Sequence, residues 1–335
     1  MILITGGTGY IGSHTCVVLA QIGYELLLLD NLCNSRAAVI DSLEKICGIR
    51  PLFINGDVRD TELLNGIFAN YPIDAVIHFA GLKAVGESVE MPIEYYDNNV
   101  HGTLKLLTAM RHADVKTLVF SSSATVYGDP ATVPIREDFP RCVANPYGRS
   151  KLIVEDILFD LFQAEPDWRI ARLRYFNPVG AHESGLIGED PRGIPNNLFP
   201  FIAQVATGKR EFLNIWGNDY PTPDGTGVRD YIHVVDLAEG HIAALNHLNS
   251  QPSAFITVNL GTGQGYSVFD VVNTFAQACH HPIPYKIAAR RPGDVAQYWA
   301  DPSLAYQLLH WKPTRGLAQM CADGWRWQLN STRTP

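Results

Sequence analysis

A tyrosine and a lysine stand four residues apart in the segment NPYGRSK, which begins at Asn145. Positions i and i+4 lie on one face of a helix, and Pro146 suits the first turn of one. A tyrosine hydroxyl has a pKa of about 10 and is a poor base at neutral pH, but a neighbouring ammonium group lowers that pKa. Tyr147 and Lys151 are therefore either a general base with its activating cation or an ordinary surface pair. The spacing alone leaves both readings open.

A glycine-rich segment near the start of the chain, TGGTGYIG, has the spacing of a phosphate-binding turn. Gly7, Gly9 and Gly12 match G-x-G-x-x-G, after an apolar run and at the start of a helical pattern. Glycines let backbone amides approach a pyrophosphate closely, and the following helix directs free N–H groups and its positive dipole end at the anion. This context predicts a dinucleotide site rather than a purely structural turn.

A carboxylate at the end of the next apolar run indicates which dinucleotide binds. Asp30 lies 18 residues after Gly12, near the offset of about 20 residues at which an acidic side chain contacts the adenosine ribose. Such a carboxylate favours NAD over NADP, whose additional phosphate it would repel, although Arg36 lies close in sequence. Asp57, after the third apolar run, is either a partner of the adenine amine or a helix-capping residue.

Short apolar runs alternate with amphipathic stretches through the first half of the chain and would position these residues. Helical patterns such as 11–22 and 95–112 separate the candidate strands MILIT, ELLLLD, PLFING, DAVIHFA, TLVFSSS and RIARLRYF. Continuous apolar runs in strand–helix alternation predict an α/β fold with a doubly wound parallel (Rossmann) sheet. We expect an NAD-binding domain over 1–176.

The second half of the chain has a different pattern. From about Asn177, loops rich in glycine and proline separate short elements, and helical patterns return at 235–248, 268–279 and 304–309. We interpret 177–335 as a smaller α/β lobe that binds the substrate, with a soft boundary that some elements cross. A cleft between the two lobes is the expected ligand site.

The composition is that of an ordinary globular protein. Of 335 residues 46% are hydrophobic and 18% charged, and the formal net charge is −8, which argues against a broad nucleic-acid-binding surface. No apolar run reaches the length of a membrane span, and the first residues lack a signal-peptide pattern. We therefore expect a cytoplasmic protein with no membrane or nucleic-acid partner. The six cysteines and 11 histidines show no metal-ligand spacing, so we expect reduced thiols and no metal.

Several longer segments carry a specific resemblance. The segments TGGTGYIGSHT, HFAGLKAVGES, FSSSATVYG, PYGRSK, RYFNPVGAH and GTGVRDYIHVVDL resemble the UDP-glucose 4-epimerase family, of the extended short-chain dehydrogenase/reductase superfamily. The resemblance covers nearly the whole chain. It implies an NAD-dependent isomerase of galactose metabolism that interconverts UDP-galactose and UDP-glucose through a transient 4-keto intermediate. It also implies a homodimer formed by two helices of each subunit, one ending near His112 and one beginning near Tyr147.

The same resemblance implies the site residues. Tyr147 would exchange a proton with the sugar 4-hydroxyl, Ser123 would relay it or orient the sugar, and Lys151 would keep Tyr147 ionised and bind the nicotinamide ribose. The implied cofactor contacts are Gly6, Gly9, Tyr10, Ile11, Gly12, Asp30, Asn31, Asn34, Ser35, Asp57, Val58, Phe79, Ala80, Gly81, Lys83, Asn98, Ser121, Tyr147, Lys151 and Phe176. The implied substrate contacts are Ser123, Tyr147, Asn177, Asn197, Leu198, Asn214, Ile215, Trp216, Arg229, Tyr231, Val268, Arg291, Asp294 and Tyr298.

Four of the implied substrate contacts bear on what binds. Arg229 and Arg291 suit a diphosphate, although an isolated arginine is more often a surface ion pair. Trp216 stands where the family usually has phenylalanine near the uracil, which keeps stacking but alters the pocket. Tyr298 stands where family members have either a bulky or a small residue beside the sugar. A tyrosine there predicts a cramped pocket that disfavours N-acetylated sugars, with a packing role as the alternative.

Two other functions share parts of the pattern. A nucleotide-sugar 4,6-dehydratase also has the glycine turn and the tyrosine–lysine pair, but it needs an additional acid and base beside the serine position. Here Ser123 is followed by Ala124 and Thr125, which have no carboxyl group, so a dehydratase is disfavoured. A non-catalytic NAD-binding protein on the same fold would often lose the tyrosine or the lysine, and this chain keeps both.

Overall fold

The elements alternate as the sequence predicts, and every candidate strand of the first half is present. The computed structural model describes residues 1–191, 193, 195, 197–291 and 293–331. The strands are β1 (Ile2–Thr5), β2 (Leu26–Asp30), β3 (Leu52–Asn55), β4 (Ala75–His78), β5 (Thr117–Ser123), β6 (Arg169–Tyr175), β7 (Asn177–Val179), β8 (Leu213–Trp216), β9 (Val228–His233), β10 (Ala254–Leu260), β11 (Gly265–Ser267), β12 (Tyr285–Ala288) and β13 (Gln297–Tyr298).

The helices flank these strands. They are α1 (Tyr10–Gln21), α2 (Ala38–Cys47), α3 (Thr61–Asn70), α4 (Val85–Glu90), α5 (Pro92–Tyr96), α6 (Gly102–His112), α7 (Pro146–Ala164), α8 (Leu198–Ala206), α9 (Val234–Asn249), α10 (Val268–Cys279), α11 (Ser303–Leu309) and α12 (Leu317–Ser331). A π-helical turn (Asp97–His101) joins α5 to α6, and a 3₁₀ turn (Ala124–Tyr127) follows β5. Among the described residues, no helix has the length and apolar character needed to cross a membrane.

The large sheet is parallel throughout and has the strand order β10-β6-β5-β4-β1-β2-β3, which confirms the predicted doubly wound arrangement. The order reverses between β1 and β4, and ligands of such sheets bind in the crevice at the carboxyl ends of the strands near this point. The glycine turn follows β1, and Ser123 ends β5. Both predicted sites therefore lie on the same edge of one sheet.

Both faces of the central strands are buried, because alternate strand residues contribute to two separate cores, whereas the edge strand β3 is partly exposed. Ile4 and Leu28 pack with residues of α1 and α9 on one face. Leu3 and Leu27 pack with residues of α3, α6 and α7 on the other. This double burial explains why these strands are continuously apolar rather than alternating. It also holds α7, the helix of the tyrosine–lysine pair, firmly against the sheet.

The second half forms a smaller lobe but also returns to the large sheet. Strand β9 pairs with β7, β11 and β13, and β8 pairs with β12, around a core shared with α8, α10 and α12. Strand β10, in contrast, pairs with β6 along its whole length, and α9 packs against the sheet beside α1. Elements of 177–335 thus complete the sheet of the first half. The last four residues of the predicted second lobe lie outside the described residues.

Candidate active site

The turn between β1 and α1 is closed too tightly for side chains. Gly6 has a positive φ of 70°, and a Cβ added there would lie 2.8 Å from the amide nitrogen of Ala80. A Cβ on Gly12 would lie 2.2 Å from the carbonyl oxygen of Gly6. Gly9 is the N-cap of α1 and makes no side-chain capping bond. The first N–H groups of α1 therefore remain available to an anion, as a dinucleotide pyrophosphate requires.

Asp30 ties this turn to the end of β2. Its carboxylate accepts hydrogen bonds from the Thr8 amide at 3.1 Å, the Leu32 amide at 2.9 Å and the Ser35 hydroxyl at 3.1 Å. An ionised carboxylate offers about four acceptor positions, so one position remains for a ribose hydroxyl. The residues here fit the adenosine end of NAD.

Asp57 does not cap a helix, which removes one of its two interpretations. The N-cap of α3 is Asp60, whose side chain accepts from the Leu63 amide. Asp57 instead accepts from Asn31 Nδ2 at 2.9 Å and from both Nε and Nη2 of Arg59. The hydrogen bonds of Arg59 hold the pKa of Asp57 well below its usual value. A fixed carboxylate and amide thus lie together beyond β2 and β3, where an adenine base would be expected.

The start of α7 places the tyrosine–lysine pair. Asn145 is the N-cap, and its side chain accepts from the Gly148 amide at 2.8 Å. Pro146 occupies the first turn, where no amide donor is needed. Tyr147 and Lys151 follow one turn apart on the face that packs toward β5. The local sequence is therefore sufficient to begin the helix at this point.

Lys151 is buried beside β5 rather than exposed as a surface pair. Its Nζ donates to the carbonyl oxygen of Ser121 at 2.7 Å and lies 5.0 Å from the centroid of the Phe120 ring. Burial lowers the pKa of Lys151 to about 8. An ammonium group has three donors, so this one bond leaves two that suit ribose hydroxyls. The surface-pair interpretation does not fit this environment.

Lys151 affects the pKa of Tyr147 less directly than their spacing suggests. Burial raises the pKa of Tyr147, and a hydrogen bond with Ser123 opposes that rise. The Ser123 oxygen itself accepts from the Thr125 amide at 3.2 Å and from the Thr125 hydroxyl at 2.9 Å. The expected lowering of the Tyr147 pKa is thus not produced by this chain alone, because burial dominates and Lys151 donates to Ser121 instead.

Basic and aromatic residues of the second lobe converge around Tyr231. Burial raises the pKa of Tyr231 to about 12, and the positive charges of Arg229 and Arg291 oppose that rise. The Arg291 guanidinium lies 6.0 Å from the Trp216 ring and donates from Nε to Asp294 at 2.9 Å. The structure therefore assembles cations and an aromatic face of the kind that a nucleoside diphosphate needs.

Tyr298 both packs and borders the site. Its ring centroid lies 5.6 Å from that of Phe176, and its hydroxyl donates to the carbonyl oxygen of Ala124, the residue after Ser123. Strand β13 holds it there by pairing with Val228 and Arg229 of β9. The two interpretations of this residue are compatible, since a packed tyrosine can still limit the space beside the serine.

Four other predicted ligand contacts make hydrogen bonds or pack within the protein itself. Asn177 donates from Nδ2 to the carbonyl oxygen of Asp230 at 2.9 Å. Ile215 is buried in the core of the smaller lobe, so only its backbone could reach a ligand. The Val268 amide, at the start of α10, donates to Thr226 Oγ1 at 3.1 Å. Asn98 lies in the π-helical turn and donates to Asn99 Oδ1 at 3.0 Å.

Two polar residues near the site escaped the sequence patterns. Glu189 accepts from Lys83 Nζ at 3.2 Å and from Asn197 Nδ2 at 2.8 Å, which joins a predicted cofactor contact to a predicted substrate contact. Asn99 accepts from the Leu82 amide and donates to Ser150 Oγ at 2.9 Å. The π-helical geometry around Asn99 is often found at functional sites. No local spacing marks either residue, because their partners are distant in sequence.

The chain is similar to a large set of known proteins over its whole length. The profile of the GDP-mannose 4,6 dehydratase family matches residues 3–324. UDP-glucose 4-epimerase of Yersinia pestis is 60% identical, with 98% of this chain and 97% of the relative covered. UDP-glucose 4-epimerase of Bacillus subtilis is 58% identical with the same coverage.

Solved structures agree with these sequence relatives. The UDP-glucose-4-epimerase of Stenotrophomonas maltophila, with bound NAD and formylated UDP-arabinopyranose, superposes with a TM-score of 0.98 at 50% identity, over 100% of this chain and 99% of that one. The Bifidobacterium longum UDP-glucose 4-epimerase, in complex with NAD+ and UDP, superposes with a TM-score of 0.95 at 52% identity, over 99% and 98%.

Proposed function

The chain belongs to the GDP-mannose 4,6 dehydratase family and, within it, to the UDP-glucose 4-epimerases, and we propose that it interconverts UDP-galactose and UDP-glucose with bound NAD. The reaction passes through a transient 4-keto sugar. The observation that carries the proposal is the placement of Ser123, Tyr147 and Lys151 at the sheet edge that also carries the glycine turn. Hydride-transfer chemistry needs a proton acceptor beside the nicotinamide end of the cofactor.

The chain's own residues fit NAD at three points. The first turn of α1 offers N–H groups to the pyrophosphate, Asp30 retains an acceptor position for the adenosine ribose, and Lys151 retains donors for the nicotinamide ribose. When bound, NAD supplies reversible hydride exchange at C4 of the sugar. The protein's task is to hold the cofactor and sugar in register and to move the proton.

The proton moves at the phenolic oxygen of Tyr147. As phenolate, this oxygen accepts the proton of the sugar 4-hydroxyl, directly or through Ser123, and later returns it. Burial raises the pKa of Tyr147 in the protein alone, so ionisation near neutral pH requires positive charge close by. The Lys151 ammonium is one such charge, and the oxidised nicotinamide ring is a second. Base strength is therefore coupled to the cofactor being bound and oxidised.

The nucleotide part of the substrate is held firmly, and the sugar is held loosely. Arg229 and Arg291 would bind the diphosphate through paired N–H donors, and Trp216 would stack on the uracil. The sugar must rotate between the two hydride transfers, so strong contacts belong on the nucleotide part rather than on the sugar.

The dehydratase alternative remains unsupported by the site, despite the name of the matching family. The residues after Ser123 are Ala124 and Thr125, and the Thr125 hydroxyl is already bound to Ser123. Neither can act as the additional acid or base that elimination of water requires.

A coupled assay for UDP-glucose formed from UDP-galactose tests the proposal. The NAD-loaded parent protein should be active, and Tyr147→Phe should lose at least about a hundredfold in kcat, as expected for loss of a general base. Tyr306→Phe, a substitution at an exposed position of α11, is the matched control and should keep parental activity. The mechanism fails if Tyr147→Phe is as active as its control, and the function fails if the loaded parent is inactive.

Assembly and location are proposed on separate grounds. We propose a homodimer formed by the helices that end near His112 and begin near Tyr147, because α6 exposes Leu104 and α7 exposes Phe159. We propose a cytoplasmic location because all six cysteines are free thiols, as is usual in a reducing compartment. Sedimentation and cell fractionation test the two statements.

A further inference from the structure

Three consecutive serines at the end of β5 face three residues on one side of α7. The side chain of Ser123 lowers the pKa of Tyr147. The carbonyl oxygen of Ser121 accepts from Lys151. The hydroxyl of Ser122, between them, donates to Glu155 Oε1 at 2.6 Å. Tyr147, Lys151 and Glu155 are spaced i, i+4 and i+8, so they share one face of the helix. The third residue has no part in the chemistry described so far.

Glu155 is fully buried and paired with an equally buried cation. Arg174, from β6, donates from Nε to Oε1 at 2.9 Å and from Nη2 to Oε2 at 2.6 Å. Burial raises the pKa of Glu155, but the bonds and charge of Arg174 outweigh it and leave that pKa below its usual value. A buried ion pair often contributes little net stability compared with apolar packing. The effect of this pair is therefore expected on the positions of the residues it bonds to rather than on stability.

Arg174 also bonds to a residue that follows Ser123 in the chain. Its Nη1 donates to the Tyr127 hydroxyl at 2.8 Å, and that hydroxyl donates to Asn259 Oδ1 at 2.7 Å. Tyr127 lies in the 3₁₀ turn that follows Ser123, whereas Ser122 precedes it. One guanidinium is thus connected to the side chains of Ser122, through Glu155, and of Tyr127, which precede and follow Ser123 in the chain.

We propose that Glu155 and Arg174 are positioning residues that fix β5 against α7 and so set the position of Ser123 relative to Tyr147. The proposal rests on the proposed function, because it concerns the base of that reaction. Neither residue touches the sugar or the cofactor in it. Loosening the connection moves Ser123 away from Tyr147, which weakens the base at neutral pH and leaves nucleotide binding intact.

Ser122→Ala is the cleanest test, because it removes the strand's link to Glu155 and leaves the Glu155–Arg174 pair in place. Thr117→Val is the matched control: it deletes a hydroxyl from the same strand, at a buried oxygen with no hydrogen-bond partner among the described residues. Ser122→Ala should lower kcat about tenfold at neutral pH, since small misplacements at a reacting centre have effects of that size or larger. KM and bound NAD should stay at parental values.

The pH profile separates positioning from general destabilisation. The Ser123 side chain lowers the pKa of Tyr147, so moving Ser123 away raises that pKa and moves the acid limb of kcat to higher pH. A tenfold loss at neutral pH corresponds to a shift of about one pH unit, with recovery at alkaline pH. Ser122→Thr, which keeps the hydroxyl, should restore the parental profile. A mere loss of stability would not produce this shift and rescue.

A second variant and an activity-independent measurement complete the test. Glu155→Gln should move the Tyr147 pKa in the same direction, and Ser122→Ala/Glu155→Gln should move it no further than the larger single change, because both act through one connection.

The Tyr147 pKa itself is measured by tyrosinate absorbance, as the difference between each variant and the same variant carrying Tyr147→Phe. Equal pKa values in Ser122→Ala and Thr117→Val overturn the inference, even if the parent lacks epimerase activity. If the parent is active but the variants show no change in the Tyr147 pKa, the inference is wrong and the proposed function stands.

Discussion

The buried ammonium group of Lys151 lowers the stability of the fold. Burial lowers its pKa to about 8, from an ordinary value of about 10.4. Between these values the unfolded chain holds a proton that the folded chain has released, so stability rises with pH across that window. Below pH 8 the cost of burying the charge is fully present.

Lys151→Met should therefore stabilise the fold and abolish efficient catalysis. One pKa unit corresponds to about 1.4 kcal/mol, so relief of the shift is worth about 3 kcal/mol. After about 1 kcal/mol is deducted for the lost bond to Ser121, the free energy of unfolding at neutral pH should rise by on the order of 2 kcal/mol. Urea unfolding at several pH values measures this. The gain should shrink as pH rises from 8 towards 10. Lys45→Met, at an exposed position of α2, should show no such gain, and equal behaviour of the two variants contradicts the argument.

Tyr298 carries the prediction on substrate range. Its ring is packed on Phe176, and its hydroxyl is tied to the residue after Ser123, so the space beside the sugar is limited. The parent should turn over UDP-glucose and UDP-galactose well and UDP-N-acetylglucosamine poorly. Tyr298→Ser should raise the ratio of kcat/KM for the N-acetylated sugar to that for UDP-glucose by roughly tenfold, the size expected for relief of a steric contact. Comparable turnover of both sugar pairs by the parent would exclude this role.

At the scale of an element, we expect the first turn of α7 to link helix stability to catalysis. The Asn145 side chain caps the helix two residues before Tyr147, and removing such a cap costs about 1 kcal/mol. Asn145→Ala should lower the free energy of unfolding by that amount and also reduce kcat, because Tyr147 then lies in a fraying turn. Asp60→Ala removes the cap of α3 and should cost similar stability without the loss of kcat. Chemical denaturation and steady-state kinetics on both variants decide the point.

The same helix shows why element-scale predictions succeeded where they did. The spacing of Tyr147 and Lys151 and the proline before them are local features, and α7 begins where they indicate. The partners of that helix are not local. Glu155 contacts Ser122 and Arg174 only because β5 and β6 are neighbours in the sheet. No residue spacing within α7 predicts these contacts.

At the scale of the whole molecule, exposed apolar residues on α6 and α7 carry the prediction of assembly. Leu104→Glu places a charge on the surface proposed to be buried between subunits and should shift the protein from dimer to monomer in sedimentation at micromolar concentration. Ile22→Glu, at the exposed end of α1, should leave the assembly unchanged. A monomeric parent, or a dimer that persists in Leu104→Glu, would contradict the proposed surface.

Local chemistry was enough to predict the parallel sheet and the glycine turn that follows its first strand. The backbone sterics at Gly12, the strand-end carboxylate of Asp30 and the continuously apolar strands can all be read from the sequence, because each shows within a few residues or at a fixed offset. Long-range pairing settled the rest. The return of β10 to the large sheet, the capping of α3 by Asp60 rather than Asp57 and the raised pKa of Tyr147 depend on neighbours that folding brings together. Burial and contact between distant segments set these properties, and neither is a function of spacing.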